Sequence, residues 1–553
     1  MTAAFVVAVI FFLLTTLPPV PRSLEAPSDP ALQRRTVAGA YHIHSTRSDG
    51  SGDKDAIAAA ASRAGLSFVI LTDHGDGTRP PDPPVYVHGV LCVDAVEISS
   101  NGGHVVALDM KTSPYPLGGE PSAVVEDVHR LGGFAIAAHP DSARPELAWS
   151  DWKAPIDGVE WMNADSEWRN ESRAVLARVL FDYALRPGPA LASILDRPVA
   201  TLQRWDTLGQ ERPVIGLAGH DAHGGIGRGV EEGGARRAAL RGIPSYEASF
   251  RSFSTRAVLE KPPDSDASVA ARQVFDAIRG GRIFTVIDAI ATPGFIDFRG
   301  SQRAGTPSPM GSTLPAGRSA IAVDVSMPAG AEMIVVGNGA ELRRTAEAHS
   351  VTPIESARGG FRVEVRVSRA PGLPPVPWLV SNPIFFLPPP AEPVAAPVEG
   401  EVIPLPAGMV WHVEKDPGSR ATLTASGGQL TLDYNLRMGD RASQFAALVA
   451  DLQMRAPQFS RIRLTASAAR PGRLSIQLRY PQGGGERWGT SVYVDPTPRE
   501  VAVGIGDMRP ADRQSGHAPD PSSAAALLFV VDLTNARPGD SNSIHVSNVR
   551  FGR

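Results

Sequence analysis

The sequence has 553 residues but only one cysteine, Cys92. A disulfide needs two thiols and a cysteine-based zinc site needs several, so one chain can form neither. Cys92 lies in an apolar run, residues 89–97, that is typical of a buried strand. We therefore interpret Cys92 as a small residue of the hydrophobic core.

An excess of charge of one sign is also lacking. The 54 lysines and arginines nearly balance the 58 aspartates and glutamates, which gives a formal net charge of −4. This balance disfavours a surface that coats nucleic acid or a charged membrane. The sequence contains no P-loop, no dinucleotide-binding glycine motif and no G-x-S-x-G motif. These absences argue against the common nucleotide-binding folds and serine hydrolases.

Basic residues are missing from the start of the chain, where none precedes Arg22. The apolar run within residues 1–14 is too short for a typical spanning helix but suits the apolar core of a secretory signal. We therefore expect residues 1–37 to be a signal peptide or membrane anchor followed by a linker. This predicts an exported, periplasmic or extracellular protein, and it leaves cleavage and anchoring as open alternatives.

The length predicts two to four domains, because one hydrophobic core rarely organises so many residues. Residues 38–290 alternate strand-like and helix-like segments, which favours a barrel of parallel β-strands. Helical patterns vanish in residues 291–386, which predicts a small Ig-like β domain. Residues 387–400 form a proline-rich linker, and residues 401–553 predict a β-sandwich of jelly-roll type.

His42 and His44 stand two residues apart at the end of a strand-like segment. Period-two spacing would direct both rings to one face of a strand, where neutral imidazoles can bind one metal ion. Asp49 follows before a glycine turn, and its carboxylate is a candidate ligand for a neighbouring ion. Taken alone, this short motif is more simply explained as an ordinary polar strand end.

Further histidines and acidic residues recur at the ends of the strand-like segments, and nine of the thirteen histidines lie between His42 and His223. The carboxyl ends of the strands form the active-site face of a β/α barrel, so these side chains are expected to meet there. The recurrence predicts a metal site. The additional candidates are Asp73, His74, Glu97, His104, His139, His220, Asp221 and His223.

The order of these motifs, HxH followed by D, TDH, an acidic strand end followed by GH, AHP and DAH, resembles the polymerase-and-histidinol-phosphatase (PHP) family. The resemblance covers roughly residues 38–290. It implies a distorted (β/α)7 TIM-like barrel with two or three divalent metal ions, for which Zn, Mn and Fe are all suitable. It further implies hydrolysis of a phosphate ester, in a small phosphorylated molecule or a nucleotide, with a metal-bridging hydroxide as nucleophile.

The same resemblance divides nine ligands among three ions. The first ion would be held by His42, His44, Glu97 and Asp221. The second ion would be held by Asp49, His74 and His223. The third ion would be held by His104 and His139, with Glu97 as the bridge to the first.

Other residues are candidates for roles in catalysis. His220 is a candidate either for a supporting role behind the ligands or for the general acid toward the leaving oxygen. Arg144 and Arg228 are candidates for binding phosphate through a forked guanidinium, with Arg169 a weaker third, although a solvated surface arginine is the simpler alternative. Asp73 is expected to orient a histidine or cap a turn rather than to bind metal.

Two other functions remain open at this point. The barrel could be a non-catalytic metal-binding part of an exported carbohydrate- or surface-binding protein, or a hydrolase that cleaves a non-phosphate bond. The last domain resembles galactose-binding-like jelly rolls, and its aromatic residues could form a glycan-binding face or belong to its core. These aromatic residues are Trp411, Tyr434, Tyr480, Trp488 and Tyr493.

Overall fold

The protein is multidomain and rich in β-sheet in the computed structural model. The first predicted segment, the proline-rich linker and Arg228 lie partly or wholly outside the residues that the structure describes. The described residues are 2–27, 29–225, 242–302, 305–389, 402–404, 409–440, 443–452, 459–481, 485–511 and 520–553.

Ten α-helices occur in the described chain, all of them before residue 280. Several begin at a side-chain cap; the carboxylate of Asp53, for example, accepts a hydrogen bond from the amide of Ala56. Among the described residues, none of these helices has the length and apolarity needed to cross a membrane. They are α1 Thr2–Thr16, α2 Pro30–Arg35, α3 Lys54–Arg63, α4 Pro121–Arg130, α5 Ala164–Asn170, α6 Arg173–Tyr183, α7 Pro187–Ala192, α8 Val199–Leu208, α9 Tyr246–Phe250 and α10 Ala267–Arg279.

The strands of the predicted barrel region are short and mostly buried, as their apolar runs suggest. They are β1 Arg22–Ser23, β2 Thr36–Ile43, β3 Phe68–Leu71, β4 Val85–Val87, β5 Val90–Asp94, β6 Val96–Ser100, β7 Gly103–Leu108, β8 Phe134–Ala137, β9 Gly158–Asn163, β10 Ile215–Gly219, β11 Ser254–Val258 and β12 Ile283–Val286.

The remaining strands form the β-rich second half of the chain. Those of residues 291–387 are β13 Ala291–Thr292, β14 Phe295–Gln302, β15 Ser308–Pro309, β16 Thr313–Pro315, β17 Gly317–Ser326, β18 Ala331–Gly337, β19 Ala340–Thr345, β20 His349–Ala357, β21 Gly359–Val367, β22 Leu379–Ser381 and β23 Ile384–Leu387. Those that follow are β24 Val402–Pro404, β25 Trp411–Lys415, β26 Arg420–Ser426, β27 Gln429–Asn435, β28 Phe445–Asp451, β29 Arg461–Ala468, β30 Gly472–Arg479, β31 Arg487–Val494, β32 Arg499–Gly504, β33 Arg509–Pro510, β34 Ala526–Asp532 and β35 Ser541–Gly552.

Both edges of one sheet in the first part of the chain meet two neighbouring strands of another. The first sheet has the order β10-β9-β8-β7-β6, and the second contains the run β11-β2-β3-β5. A bridge between Ile43 and Ala222 joins β2 to the end of β10, and a bridge between His74 and Glu97 joins the end of β3 to β6. Strands β2, β3 and β6 to β10 therefore follow one another around a ring, and several of the candidate ligands lie at its two junctions.

The ring differs from the expected set of parallel strands. Strands β6, β7 and β8 pair antiparallel, because only Asn101 and Gly102 separate β6 from β7 and so short a connection makes a hairpin. The apolar run 89–97, interpreted as one strand, is divided at Ala95 into β5 and β6, which belong to different sheets. Glu97 therefore lies near the start of a strand rather than at the end of one.

Residues 291–387 do not have a sheet of their own throughout. Strand β12 of the ring pairs with β22, and the same twelve-stranded sheet continues through β21 to β23. One buried core includes Trp161 of the ring and Trp378 of this segment. The predicted boundary between residues 290 and 291 is thus crossed by both hydrogen bonds and packing, and the division into domains there stays a prediction.

The chain after residue 402 folds as two antiparallel six-stranded sheets with a separate core. One sheet has the order β26-β27-β35-β29-β32 with β24 paired to β35, and the other has the order β25-β28-β34-β30-β31-β33. Inward-facing side chains such as Leu432, Leu464 and Phe529 are fully buried between them. This arrangement is a β-sandwich.

A buried ion-pair network joins β21 to the ring. The carboxylate of Glu364 is inaccessible to solvent and accepts hydrogen bonds from Arg197 and Arg362 at 2.9 Å and from Arg366 at 2.6 Å. Burial alone raises the pKa of Glu364, but the guanidinium groups of Arg362 and Arg197 outweigh burial and lower that pKa from 4.5 to about 2.

We expect Glu364→Gln to lower the free energy of unfolding by about 3–5 kcal/mol at neutral pH, because it removes the charge that three guanidinium groups share and leaves Arg362 with Asp206 alone. The folded chain keeps Glu364 ionised to about pH 2, whereas the unfolded chain protonates it near pH 4.5. The difference in unfolding free energy between wild type and variant is therefore largest above pH 4.5, and it shrinks as the pH falls toward 2. Calorimetric unfolding between pH 7 and pH 2 measures it.

The matched control is Glu355→Gln, which removes an exposed ion pair with Arg318 and should cost less than about 1 kcal/mol. Equal effects of the two substitutions, or a Glu364→Gln deficit that does not change with pH, would contradict the assigned role.

Candidate metal centre

The structure brings the nine predicted ligands together in one place inside the ring. Six are imidazoles and three are carboxylates, and they come from six separate segments of the chain. Their nitrogen and oxygen atoms form five overlapping groups of three, with the atoms of each group within 4.8 Å of one another. The nine residues are His42, His44, Asp49, His74, Glu97, His104, His139, Asp221 and His223.

The four residues expected around the first ion have their ligand atoms in contact range. The Nε2 atoms of His42 and His44 lie 3.4 and 3.3 Å from Oε2 of Glu97. The same two nitrogens lie 3.6 and 3.3 Å from Oδ1 of Asp221. Two imidazoles and two carboxylates thus direct one atom each toward a common point.

The other two expected groups are also close. Oδ2 of Asp49 lies 3.7 Å from Nε2 of His74 and 3.2 Å from Nε2 of His223. Oε1 of Glu97 lies 2.8 Å from a ring nitrogen of both His104 and His139. The distances overlap between groups, since Nδ1 of His74 is also 3.1 Å from Glu97. The assignment of each ligand to a particular ion therefore stays a prediction.

Three of these atoms are buried and lack a hydrogen-bond partner among the described residues: Nε2 of His42, Nε2 of His44 and Oε2 of Glu97. A buried polar atom without a partner is costly, so a cluster of such atoms calls for a ligand. Atoms bound ~2.0–2.2 Å from one divalent ion lie ~3–3.5 Å from each other, which matches the spacing between these residues. The donor set and its spacing fit a divalent metal ion.

Backbone strain is concentrated at three of the ligands. His42, His139 and Asp221 have φ angles of 63°, 29° and 47°, in the left-handed region that non-glycine residues seldom occupy. Each such residue costs on the order of 1–3 kcal/mol and persists where the surroundings demand it. At His42 the pairing of β2 with β3 also shifts register. The two rings of the HxH motif therefore converge through a bulge, not through regular strand alternation as predicted.

The loop that carries Asp49 is held by Asp73. Its carboxylate accepts hydrogen bonds of 2.7 Å from the amide and hydroxyl of Ser45 and from the hydroxyl of Ser48. Gly50 allows the loop to close, because a β-carbon there would lie 2.1 Å from the carbonyl oxygen of His44. Asp73 thus holds the turn, and it contacts no ligand side chain.

Glu160 orients two of the ligands from behind. One carboxylate oxygen lies 2.6 Å from Nδ1 of His42, and the other accepts hydrogen bonds from the backbone amide of His139 and from Asn163. A carboxylate bonded to the far nitrogen of an imidazole fixes its orientation and increases its basicity as a ligand.

Tyr246 is a supporting residue that sequence reasoning missed. Its hydroxyl lies 2.8 Å from the carbonyl oxygen of His44 and 3.1 Å from that of His223, and it accepts hydrogen bonds from the amides of Ser51 and Gly52. It joins two ligand-bearing loops that are far apart in the chain. A tyrosine at the start of a short helix gives no sequence signal of such a contact.

The charges of the cluster depend strongly on one another. Burial alone lowers the pKa of His44, but Asp221 and Glu97 outweigh it and raise that pKa to about 10. Burial alone raises the pKa of Glu97, but His42 and the neighbouring imidazoles hold it well below its usual range. Positive charge is therefore required between these carboxylates, and protons or divalent cations both supply it.

His220 does not have the environment of a general acid. Its ring nitrogens lie 3.3 and 3.0 Å from the backbone carbonyl oxygens of Tyr41 and Phe253, and the ring stacks on Phe253. Burial lowers its pKa to about 4, so the ring is neutral near pH 7. Because both nitrogens face backbone oxygens, neither is available to a leaving group. This environment favours the supporting role for His220, and its role as general acid stays a prediction.

Of the three candidate arginines, the structure favours Arg169, the weaker third in the sequence prediction. Arg144 is exposed and makes no side-chain hydrogen bond among the described residues, and Arg228 lies outside them. Arg169 is hydrogen-bonded to Asp165, and the nearby carboxylates of Asp165 and Asp221 raise its pKa despite its partial burial. Arg169 is thus the arginine beside the cluster.

The aromatic residues of the C-terminal sandwich do not form an exposed platform. Tyr434 and Tyr480 are buried, and Trp411 stacks on Phe529 at 5.2 Å. Trp488 packs against the core of the sandwich. Tyr493 packs against the core of the first part of the chain. These positions agree with the simpler expectation that the aromatic residues serve packing.

Comparisons with known proteins add little. No protein-family profile matches the chain, and no curated protein matches its sequence. Among solved structures, a β-sandwich part of the chain is similar to the family 11 carbohydrate-binding module of a cellulosomal cellulase of Clostridium thermocellum. That match has 16% identity and a TM-score of 0.23, and it covers 29% of this chain and 97% of the other.

Two further structures score similarly. One is the family 11 module from Clostridium thermocellum in complex with a beta-1,3-1,4-mixed-linked tetrasaccharide. That match has 13% identity and a TM-score of 0.23, and it covers 28% of this chain and 96% of the other. The other is a family 29 carbohydrate-binding module, with 13% identity, 28% and 89% coverage and a TM-score of 0.19. Scores this low support no functional conclusion.

We expect Glu160→Gln to weaken binding of Zn2+ or Mn2+ about 10- to 100-fold while all nine ligands remain. The amide has one acceptor oxygen in place of two, so its donor group would face either Nδ1 of His42 or the donors of His139 and Asn163, and one of these supports is lost. Competition with a chromophoric chelator measures the affinity. The exposed Glu146→Gln is the matched control, and equal affinities of the two variants would contradict the assigned role of Glu160.

Proposed function

We propose that the ring is a PHP-type distorted (β/α)7 barrel and that it hydrolyses a phosphate ester of a small molecule or nucleotide with the help of divalent metal ions. One observation carries the proposal: imidazole and carboxylate atoms from six chain segments converge around Glu97, and among the described residues several of these atoms are buried without a hydrogen-bond partner. Structural hydrogen bonding alone does not explain such orphaned atoms. The order of the motifs supports the choice of family.

In this proposal the nine residues hold two or three ions of Zn, Mn or Fe. When bound, such ions lower the pKa of water and neutralise charge on phosphate oxygens. Glu97 is the shared ligand, because its two oxygens face different sets of histidines. The six imidazoles must give up protons to bind metal, so occupancy should fall at low pH.

Arg169 is the proposed contact for the phosphate. Its guanidinium is partly exposed beside Asp49 and Asp221, and Asp165 holds it in place. A forked guanidinium binds two phosphate oxygens at once, and Asp165 fixes the orientation of that fork. Burial and the charge of Asp221 raise the pKa of Asp165, which shows how closely this pair lies to the ligands.

We also propose that the protein is exported. Helix α1 is apolar, and side chains such as Phe5 and Phe11 are largely exposed on it, as expected for a segment read by export machinery or held in a membrane. Localisation of a full-length fusion in cells tests this proposal, and a cytoplasmic protein would contradict it.

A second candidate function is carbohydrate binding by the C-terminal sandwich. A cavity of about 480 Å³ there is lined by residues that include Trp411, Gln429 and Asn548. An aromatic ring with nearby amides suits a sugar. Binding of the full chain to a mixed-linked beta-glucan, lost in Trp411→Ala, would support this function, and no binding across a glycan array would contradict it.

We expect purified protein loaded with Mn2+ or Zn2+ to release phosphate from aryl phosphate or from members of a nucleotide panel. Glu97→Gln and His44→Ala should each reduce kcat/KM more than about 100-fold, because even residues that only support a ligand cost 10- to 100-fold. Phosphate release and metal content per chain are measured on the same samples.

Metal-loaded protein that is inactive on mono- and diesters would contradict phosphoesterase activity. Cleavage of carboxylic esters or amides by the same protein would point to hydrolysis of a non-phosphate bond at this site. A folded chain without bound metal would contradict the entire proposal.

Arg169→Ala should lower kcat/KM about 10- to 100-fold, mostly by raising KM. The expected size follows because a hydrogen bond to a charged group contributes ~1.5–3 kcal/mol. Arg169→Lys should recover only part of the loss, since an ammonium group lacks the fork. Arg144→Ala is the comparison. A large loss for Arg144→Ala and none for Arg169→Ala would restore the original sequence prediction.

A further inference from the structure

The C-terminal sandwich is fixed to the ring by a buried ion pair. Arg473 is almost fully buried, and its guanidinium donates to Asp127 at 2.9 Å and to Glu126 at 2.8 Å, both on α4. The hydroxyl of Ser491 donates to Glu120 at the start of the same helix. A buried guanidinium tolerates burial only with such partners, so this contact is specific.

The same face of the sandwich makes a second set of contacts. Arg473 pairs with Tyr493 across β30 and β31, so their side chains share one face of the sheet. The guanidinium of Arg130 lies 3.8 Å from the centre of the Tyr493 ring, and Tyr115 stacks on that ring at 6.4 Å. The first part of the same chain therefore covers this sheet face, so the face is not a free binding surface.

A third contact reaches the loop that carries a candidate ligand. Arg537 lies in the turn between β34 and β35, and its guanidinium donates to Asp76 at 3.0 Å and to Thr78. Asp76 follows His74 by two residues. In the same turn, Asn535 donates to the carbonyl oxygens of Pro116 and Gly118, in the segment that also supports the loop.

We expect the position of the His74 side chain to depend on the loop that carries it. Its side chain is 37% exposed, the highest value among the nine candidate ligands. Its ring nitrogens lie near Asp49 and Glu97, and its ring packs against those of His44 and His104. The backbone of residues 74–78 therefore contributes to the position of His74, together with the bridge between His74 and Glu97. That backbone is bonded to Ser113 and Leu117 of the neighbouring segment.

We propose that the C-terminal sandwich is an integral part of the metal centre, and that Arg537 is a positioning residue that holds the His74 loop in its binding geometry. The inference rests on the proposed function, because it takes His74 to be a metal ligand. The sandwich acts through Asp76 and Thr78 and touches neither metal nor substrate.

The test uses the full chain and two readouts. Arg537→Ala should weaken Mn2+ or Zn2+ binding about three- to tenfold, less than the 10- to 100-fold typical of residues that touch a ligand directly. It should also speed amide hydrogen exchange in residues 74–78 of the metal-free protein. Arg537→Lys should restore part of both. Arg318→Ala, an equally exposed arginine paired with Glu355, should change neither.

The outcomes separate the two claims. Unchanged hydrogen exchange in Arg537→Ala overturns the positioning role whether or not metal binds. Unchanged metal affinity in a variant whose wild type binds metal overturns the inference alone. A wild type that binds no divalent metal overturns both the proposed function and the link to His74.

Discussion

The structure depends on one buried carboxylate, that of Glu97, which lies among five imidazoles. A carboxylate fully removed from water needs charged or hydrogen-bonding partners, so this residue dictates what surrounds it. Its backbone also forms one of the two junctions between the sheets of the ring. Closure of the ring and assembly of the candidate site are therefore the same event. The five imidazoles belong to His42, His44, His74, His104 and His139.

Around this centre, residues that are not candidate metal ligands hold the ligand side chains and their loops in position. Glu160 fixes His42 and His139, Asp73 closes the loop before Asp49, and Tyr246 joins two ligand loops. The left-handed backbone of several ligands is sustained only by such surroundings. The C-terminal sandwich contacts the loop that carries His74, through Arg537.

The sequence predicted which residues converge, because each candidate stands in a short motif next to an apolar strand. It did not predict the supporting contact of Tyr246, which is 202 residues from His44 and has no local pattern. The burial of His220 and the hairpin between β6 and β7 depend on tertiary pairing that periodicity cannot encode. Likewise, the sheet shared across residue 290 is visible only once β12 and β22 pair.

The most direct test of the central claim is anomalous X-ray diffraction from crystals of full-length protein grown with Mn2+ or Zn2+. The account predicts at least two anomalous peaks within bonding distance of the cluster, one of them at ~2.0–2.2 Å from Glu97 Oε2 and from Nε2 of His42 and His44. Density for water alone at these atoms, with no anomalous signal, would contradict the account.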